Sequence, residues 1–296
     1  INSQATLFND TDSTKQLKNS KSYTKLKNKN IIVSGASSGI GLAVTKELLS
    51  HNANVICLMR NSKHAKDNYK ALKKIYGDKI NWINVDYISL SSIKSAIKNI
   101  NLQYKDGIDI LFNNAGISNT KPNLTEDGYE AQIQTNCISH IALTEGIMSQ
   151  IEKRNGVIIN HSSLSHNIPP KPYNSIFFKK HKNLDKFKGF LLSQQLYQQS
   201  KLGLLLYTQI LQKRLMNKNI RTISFHPGAC KTNLFESSIL PSLIIKIIDR
   251  FSVNTSDVVP SLLDCMVSTQ FNDKYIIYGP SNISINKDII HSTEVD

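Results

Sequence analysis

Cysteine is scarce in this chain: Cys57, Cys137, Cys230 and Cys265 stand far apart, with no Cys-x-x-Cys pair. That spacing excludes a disulfide scaffold and a structural zinc site, and points to a reducing compartment. Long apolar runs are missing too, since none reaches the roughly 18 residues that span a bilayer. Acidic residues are few against basic ones, 22 against 36, for a formal net charge of +14. No zinc-finger spacing or aromatic RNA-binding signature accompanies the charge. The lysines are dispersed, thickest in Lys15–Lys29, Lys63–Lys74 and Lys171–Lys188. They read as solvated faces rather than a nucleic-acid surface, with anionic membrane surfaces and phosphorylated ligands as the other uses of such charge. No internal repeat is present and no second domain is required.

What is present suits one large α/β domain: 296 residues, 40% hydrophobic and 20% charged. Residues 1–28 are polar and read as a tail, residues 29–285 as the domain, and residues 286–296 as a second loose tail. The chain begins at Ile1 rather than Met, which leaves room for an upstream signal or anchor. Apolar runs predict strands at Lys29–Ser34, Asn54–Met59, Ile80–Val85, Ile108–Asn113, Gly156–Asn160, Ile220–Phe225 and Tyr275–Tyr278. Helical periodicity predicts helices through Leu48-Leu49, over Ser62–Ile75, Ser89–Leu102 and Ser256–Met266, and one long helix over Tyr129–Lys153. Strands alternating with helices of this length predict a Rossmann-type, doubly wound parallel sheet. Leu164–Leu192, with Pro169, Pro170, Pro172 and many lysines, reads as a long irregular loop that is either functional or mobile. Ile239–Phe251 is apolar and reads as an ordinary helix that could also cover a greasy pocket.

The chemistry centres on Tyr197 and Lys201, which precede Leu202, Leu205, Leu206, Ile210 and Leu211 at helical spacing. Four residues is about one helical turn, so the phenol and the ammonium share a face. An ammonium nearby favours the phenolate, and a tyrosine tuned in that way can exchange a proton with an alcohol or alkoxide. Upstream, Ser34-Gly35-Ala36-Ser37-Ser38-Gly39-Ile40-Gly41 links a strand to a helix. Such a turn admits a pyrophosphate to the free N–H groups and favourable dipole of the helix N-terminus. Arg60 stands at the end of the second strand, where an acidic residue would bind a ribose 2′-OH; a guanidinium there suits the 2′-phosphate of NADP. Asn113-Asn114-Ala115-Gly116 ends another strand at the edge where such sheets bind ligands.

These pieces, in this order, resemble the short-chain dehydrogenase/reductase family over about residues 29–280. Gly35, Gly39 and Gly41 match its cofactor turn, with Ser37, Ser38 and Ile40 between them and Ser34 where threonine is usual. Asp86 matches its adenine-contacting acid, with Tyr87 where leucine is common, and Asn113-Asn114-Ala115-Gly116 is its signature unchanged. Asn136, Ser163, Tyr197 and Lys201 match its catalytic tetrad; Pro227, Gly228 and Thr232 match the segment that closes over the nicotinamide. Of the adjacent serines, Ser163 matches the family position, and strand alternation turns Ser162 away.

The stretches Asn136–Thr144 and Tyr197–Leu205 are similar to those of the retinol-dehydrogenase-like branch, neighbour to WW-domain oxidoreductases and protochlorophyllide reductases. Two departures stand out: Gly203 and Leu204 replace Ala-Asn, and the Ser163–Tyr197 connection is long. The resemblance implies NADP(H)-dependent hydride transfer between nicotinamide and a carbonyl or alcohol of a hydrophobic substrate, such as a retinoid, lipid aldehyde, steroid or ketone. Tyr197 would be the general acid or base, and Lys201 would lower its pKa and hold the nicotinamide ribose. Ser163 would bind the substrate oxygen, and Asn136 would support a water next to Lys201. The alternative is an NADP(H)-binding regulatory or scaffold protein without turnover. The family also implies dimers or tetramers, and its retinoid branch a cytoplasmic or membrane-associated location. No metal is implied.

Overall fold

The computed structural model describes residues 22–118, 121–163, 172–184, 192–227, 255–267 and 277–278. The order is β1 (Asn30–Ser34), α1 (Gly39–Ser50), β2 (Asn54–Met59), α2 (Lys63–Tyr76), β3 (Ile80–Asn84), α3 (Leu90–Gln103) and β4 (Ile110–Asn113). There follow α4 (Ala131–Ile133), a π-helical turn (Gln134–Ile138), α5 (Ser139–Gly146), α6 (Met148–Glu152) and β5 (Val157–His161). The C-terminal part holds α7 (Leu192–Arg214), β6 (Arg221–Phe225), α8 (Thr255–Val267) and β7 (Ile277–Tyr278).

The strands form one parallel sheet of 7 in the order β3-β2-β1-β4-β5-β6-β7. The expected doubly wound Rossmann-type architecture is therefore present. Side chains alternate across each strand. Ile31, Val33, Phe112 and Ile159 accordingly pack on one face under α1, α2 and α8. Ile32, Leu111 and Ile158 pack on the other with residues of α3, α5 and α7. Burial on both faces explains why these strands are continuous apolar runs rather than alternating ones. The strand order reverses between β1 and β4, and the loops that follow those two strands sit side by side at the sheet's carboxyl edge, where such sheets bind ligands.

The helix expected over Tyr129–Lys153 is interrupted. Glu130 caps α4 by accepting from the N–H groups of Gln132 and Ile133, a π-helical turn follows, and the chain breaks again at Ile147. Apolar periodicity registers which face is buried and is blind to the one extra residue of a π turn. Within the segment read as a tail, Ser22–Leu26 forms a 3-10 turn with Leu26 buried in the core, and the Tyr23 phenol donates to Asp264 at 2.9 Å. Residues 172–184 of the long connection hold a second 3-10 turn, Ser175–Phe178. The expected Ile239–Phe251 helix, the C-terminal tail and residues 164–171 and 185–191 lie outside the described residues. Among the described residues no helix is long and apolar enough to cross a membrane.

Candidate active site

The turn after β1 is a close-packed joint. Gly35 has a φ of +67°, a backbone conformation that suits glycine, and its N–H donates to the Leu58 carbonyl at 2.8 Å. A Cβ on Gly41 would lie 2.7 Å from Asn114 Nδ2, so Asn114 fills the hollow that the glycines leave. Ser34 holds the neighbouring loop: its Oγ accepts from the N–H groups of Asn114 (2.7 Å) and Ala115 (2.9 Å), and its carbonyl accepts from Asn114 Nδ2.

Side chains supply the first-turn caps of α2, α3 and α4, from Ser62, Ser89 and Glu130. Ser38 makes no such bond at α1, and no acidic residue sits in that first turn. The α1 terminus thus keeps N–H groups and dipole for an anion beside Ser37 and Ser38, which fits a dinucleotide pyrophosphate. Arg60 is exposed at the end of β2 and makes no ion pair among the described residues. Asp86 Oδ1 accepts from the Ile88 N–H at 3.2 Å.

Two histidines that the sequence reading passed over grip the Asn-Asn-Ala-Gly loop. His140 faces the Asn113 Oδ1 at 3.1 Å and the Ala115 carbonyl at 2.7 Å; His161 Nδ1 faces Asn114 Oδ1 at 3.0 Å. Burial pushes His140 down to about 3, opposed by its bond to Ala115. Burial also holds His161 well below the usual imidazole value, with the charges of Lys201, His226 and His140 adding to the effect. The signal that could have found His140 was its place one helical turn from Asn136, on the same side.

Asn136 sits in the π turn and is fully buried. Its Oδ1 accepts from the Ile117 N–H at 2.8 Å, while its Nδ2 donates to the Ile117 carbonyl (2.9 Å) and Ser200 Oγ (3.0 Å). The loop after β4 is thereby tied to α7. Gly116 lies between them, where a Cβ would stand 3.2 Å from Asn136 Oδ1 and 3.7 Å from Lys201 Nζ.

Tyr197 and Lys201 share a face of α7 as expected, with Lys201 Nζ 5.9 Å from the Tyr197 ring centre. The ammonium donates to the His161 carbonyl at 2.8 Å, and burial lowers it to about 8. Burial pushes Tyr197 up to about 12, and a side-chain hydrogen bond with Ser163 pulls it back only in part. In this arrangement desolvation of the phenol outweighs what lowers its pKa. Ser163 therefore meets Tyr197 directly; Ser162 is fully buried, with its N–H on the Phe225 carbonyl. Pro227 is buried at the end of β6, while Gly228 and Thr232 lie outside the described residues.

Sheet order, glycine turn and a tyrosine–lysine helix together define an α/β protein of the Rossmann type. Comparison with known proteins agrees. The short chain dehydrogenase family model matches residues 29–173. A short-chain dehydrogenase TIC 32 A, chloroplastic, from Brassica napus is 32% identical over 229 residues, covering 74% of this chain and 69% of the relative. Human retinol dehydrogenase 13 is 32% identical over 212 residues, covering 70% of this chain and 60% of that protein. The NADPH-bound carbonyl reductase from chicken fatty liver superposes with a TM-score of 0.67 at 21% identity, over 88% of this chain and 99% of that one. The chain belongs to the short-chain dehydrogenase/reductase family, on its retinol-dehydrogenase-like branch, a family of nicotinamide-dependent oxidoreductases acting on alcohols and carbonyls.

Proposed function

We propose that the protein is an NADP(H)-dependent reductase of a hydrophobic carbonyl compound, run reversibly as an alcohol dehydrogenase. The observation that carries this reading is the direct Ser163–Tyr197 contact on a buried face shared with Lys201. Gly35, Gly39, Ile40, Gly41, Ser37 and Ser38 would hold the pyrophosphate, Asp86 the adenine and Arg60 the 2′-phosphate. Asn114, Ala115, Gly116, Pro227, Gly228 and Thr232 would flank the nicotinamide half. When bound, the cofactor supplies the hydride.

The chain's own residues manage the proton. A phenol at about 12 keeps its proton at neutral pH, so in this arrangement Tyr197 is an acid ready to protonate an alkoxide. Ser163 donates to the same oxygen and offsets its developing charge. Lys201, cationic below about 8, is the positive charge next to the phenol, and Asn136 fixes the backbone next to Lys201. The names of relatives, retinol dehydrogenases among them, support an apolar substrate of the retinoid or lipid-aldehyde kind.

The test is NADPH consumption, followed by absorbance, against aliphatic, aromatic, retinoid and steroid carbonyls. Tyr197→Phe should abolish turnover, by at least about 100-fold as for loss of an acid catalyst, and leave NADPH binding near wild type. Normal turnover in that variant would sink the assignment. In the same assay Arg60→Asp should weaken NADPH far more than NADH.

A further inference from the structure

Two departures from the family pattern, the glycine at 203 and the long Ser163–Tyr197 connection, meet at one point in space. A Cβ built on Gly203 would lie 2.6 Å from Phe178 Cζ, 2.7 Å from Phe178 Cε1 and 3.0 Å from Cys137 Sγ. Phe178 comes from the long connection, Gly203 from α7, and Cys137 from the π turn next to Asn136. The ring fills the volume that an alanine methyl would take.

The segment around Phe178 is docked at further points. Gln199 clasps it in both directions, Oε1 accepting from the Asn174 N–H and Nε2 donating to the Pro172 carbonyl, each at 2.9 Å. Phe177 packs with Ile133 and Leu196 in a small cluster of its own, which Phe178 borders. At the far end the His181 N–H donates to the Gly128 carbonyl at 2.8 Å, and Lys180 Nζ lies 5.5 Å above the Tyr129 ring. Residues 172–184 thus tie the start of α4 to α7. The Tyr173 and Phe178 rings lie 5.0 Å apart, tilted by 33°, within the segment.

We infer that Phe178 is a positioning residue: a wedge, keyed into Gly203, that sets the spacing between the catalytic helix α7 and the π turn bearing Asn136. The inference rests on the reading of Tyr197, Lys201 and Asn136 as the catalytic set. Interiors are close-packed and transmit a shift of one wall to the next. A displaced wedge therefore moves Lys201 relative to Asn136, and small misplacements of catalytic groups are costly. Phe178 touches neither the glycine turn nor Arg60 in the contacts described, so the hold on the pyrophosphate and 2′-phosphate should stay and NADPH affinity should change less than kcat.

The test uses Gly203→Ala, Phe178→Leu and the double variant. Alanine is the better helix former, so without a wedge Gly203→Ala should raise the unfolding midpoint. With the wedge it should lower it, and trypsin should cut after Lys179, Lys180 or Lys182 about tenfold faster as the segment lifts more often. The kcat should fall about fivefold or more, a larger factor than any change in the KM for NADPH. Shortening the ring in Gly203→Ala/Phe178→Leu should restore the midpoint, slow the cleavage and recover kcat. A midpoint that rises in Gly203→Ala with unchanged cleavage overturns the wedge. Cleavage that changes and recovers while kcat stays constant overturns the positioning role. The cleavage and midpoint readings need no turnover, so an inactive wild type would count against the proposed function and leave the wedge to be decided by them.

Discussion

Both ring nitrogens of His140 face oxygens, Asn113 Oδ1 and the Ala115 carbonyl, in an interior where the side chain is almost fully buried. A neutral imidazole has a single N–H to give, and the 2.7 Å contact to Ala115 is the shorter. The residue therefore fixes the Asn-Asn-Ala-Gly loop as a neutral donor. Its pKa is about 3 in the fold and near 6.5 in an unfolded chain. Above about 6.5 both states are neutral; below it the unfolded chain takes up a proton that the fold refuses, so stability declines as the pH falls toward 3. His161 shifts in the same direction and adds to the slope. His140→Gln should lose about 1–3 kcal/mol at pH 7 through the groups left unpaired. It should then lose less than the wild type between pH 7 and pH 5. Urea midpoints at both pH values check this, and parallel slopes for the two proteins would contradict it.

At the level of elements, α4 and the π turn show what local structure adds to a catalytic residue. Glu130 is buried and caps α4 through the N–H groups of Gln132 (2.8 Å) and Ile133 (3.1 Å). Burial pushes the carboxyl up to about 7, only partly opposed by the backbone N–H bonds. In the unfolded chain Glu130 ionises near 4.3. Its contribution is therefore whole below that value and is lost as the pH rises through about 7. Glu130→Gln retains an acceptor for the cap and removes the charge. Relative to the wild type it should gain about 2–3 kcal/mol in stability on going from pH 5 to pH 8, each pKa unit being worth about 1.4 kcal/mol. Denaturant melts at the two pH values decide the sign.

None of this was legible in the periodicity, which merged α4, the π turn, α5 and α6 into one helix. Asn136 was found through its place in a signature, while the reason it points at Ile117 is the turn that the pattern hides. Tyr197 and Lys201 were legible because a four-residue spacing on a strongly periodic helix needs no tertiary knowledge. Their ionisation was not, because desolvation depends on everything packed around them.

For the molecule as a whole, strand positions were readable because a parallel sheet buried on both faces writes its strands as short apolar runs between turn residues. Strand order was not read from the sequence, since the chain crosses from β3 at the edge past β2 and β1 to β4, a jump that the alternating pattern does not record. The segment before β1 was harder, since Ser22–Leu26 is polar except for Leu26 and Tyr23, and its hydrogen-bond partners Pro260 and Asp264 lie more than two hundred residues away. Leu26 packs in the core cluster that also holds Val258 and Leu262 of α8. The Tyr23 phenol donates to Asp264 at 2.9 Å and to the Pro260 carbonyl at 3.3 Å. Arg221 Nη2 reaches the Met266 carbonyl at 3.2 Å from the sheet side, so α8 is held from two directions. A chain beginning at Lys29 gives up the Leu26 side chain and the Tyr23 bonds together, and α8 loses one of those holds. Compared with a chain beginning at Lys21, it should be less stable by about 2–5 kcal/mol, the range for deleting a buried leucine from a packed core. Denaturant midpoints of the two truncations measure this. Equal midpoints would mean that α8 is held without Ser22–Leu26 and that the boundary of the folded unit falls at residue 29.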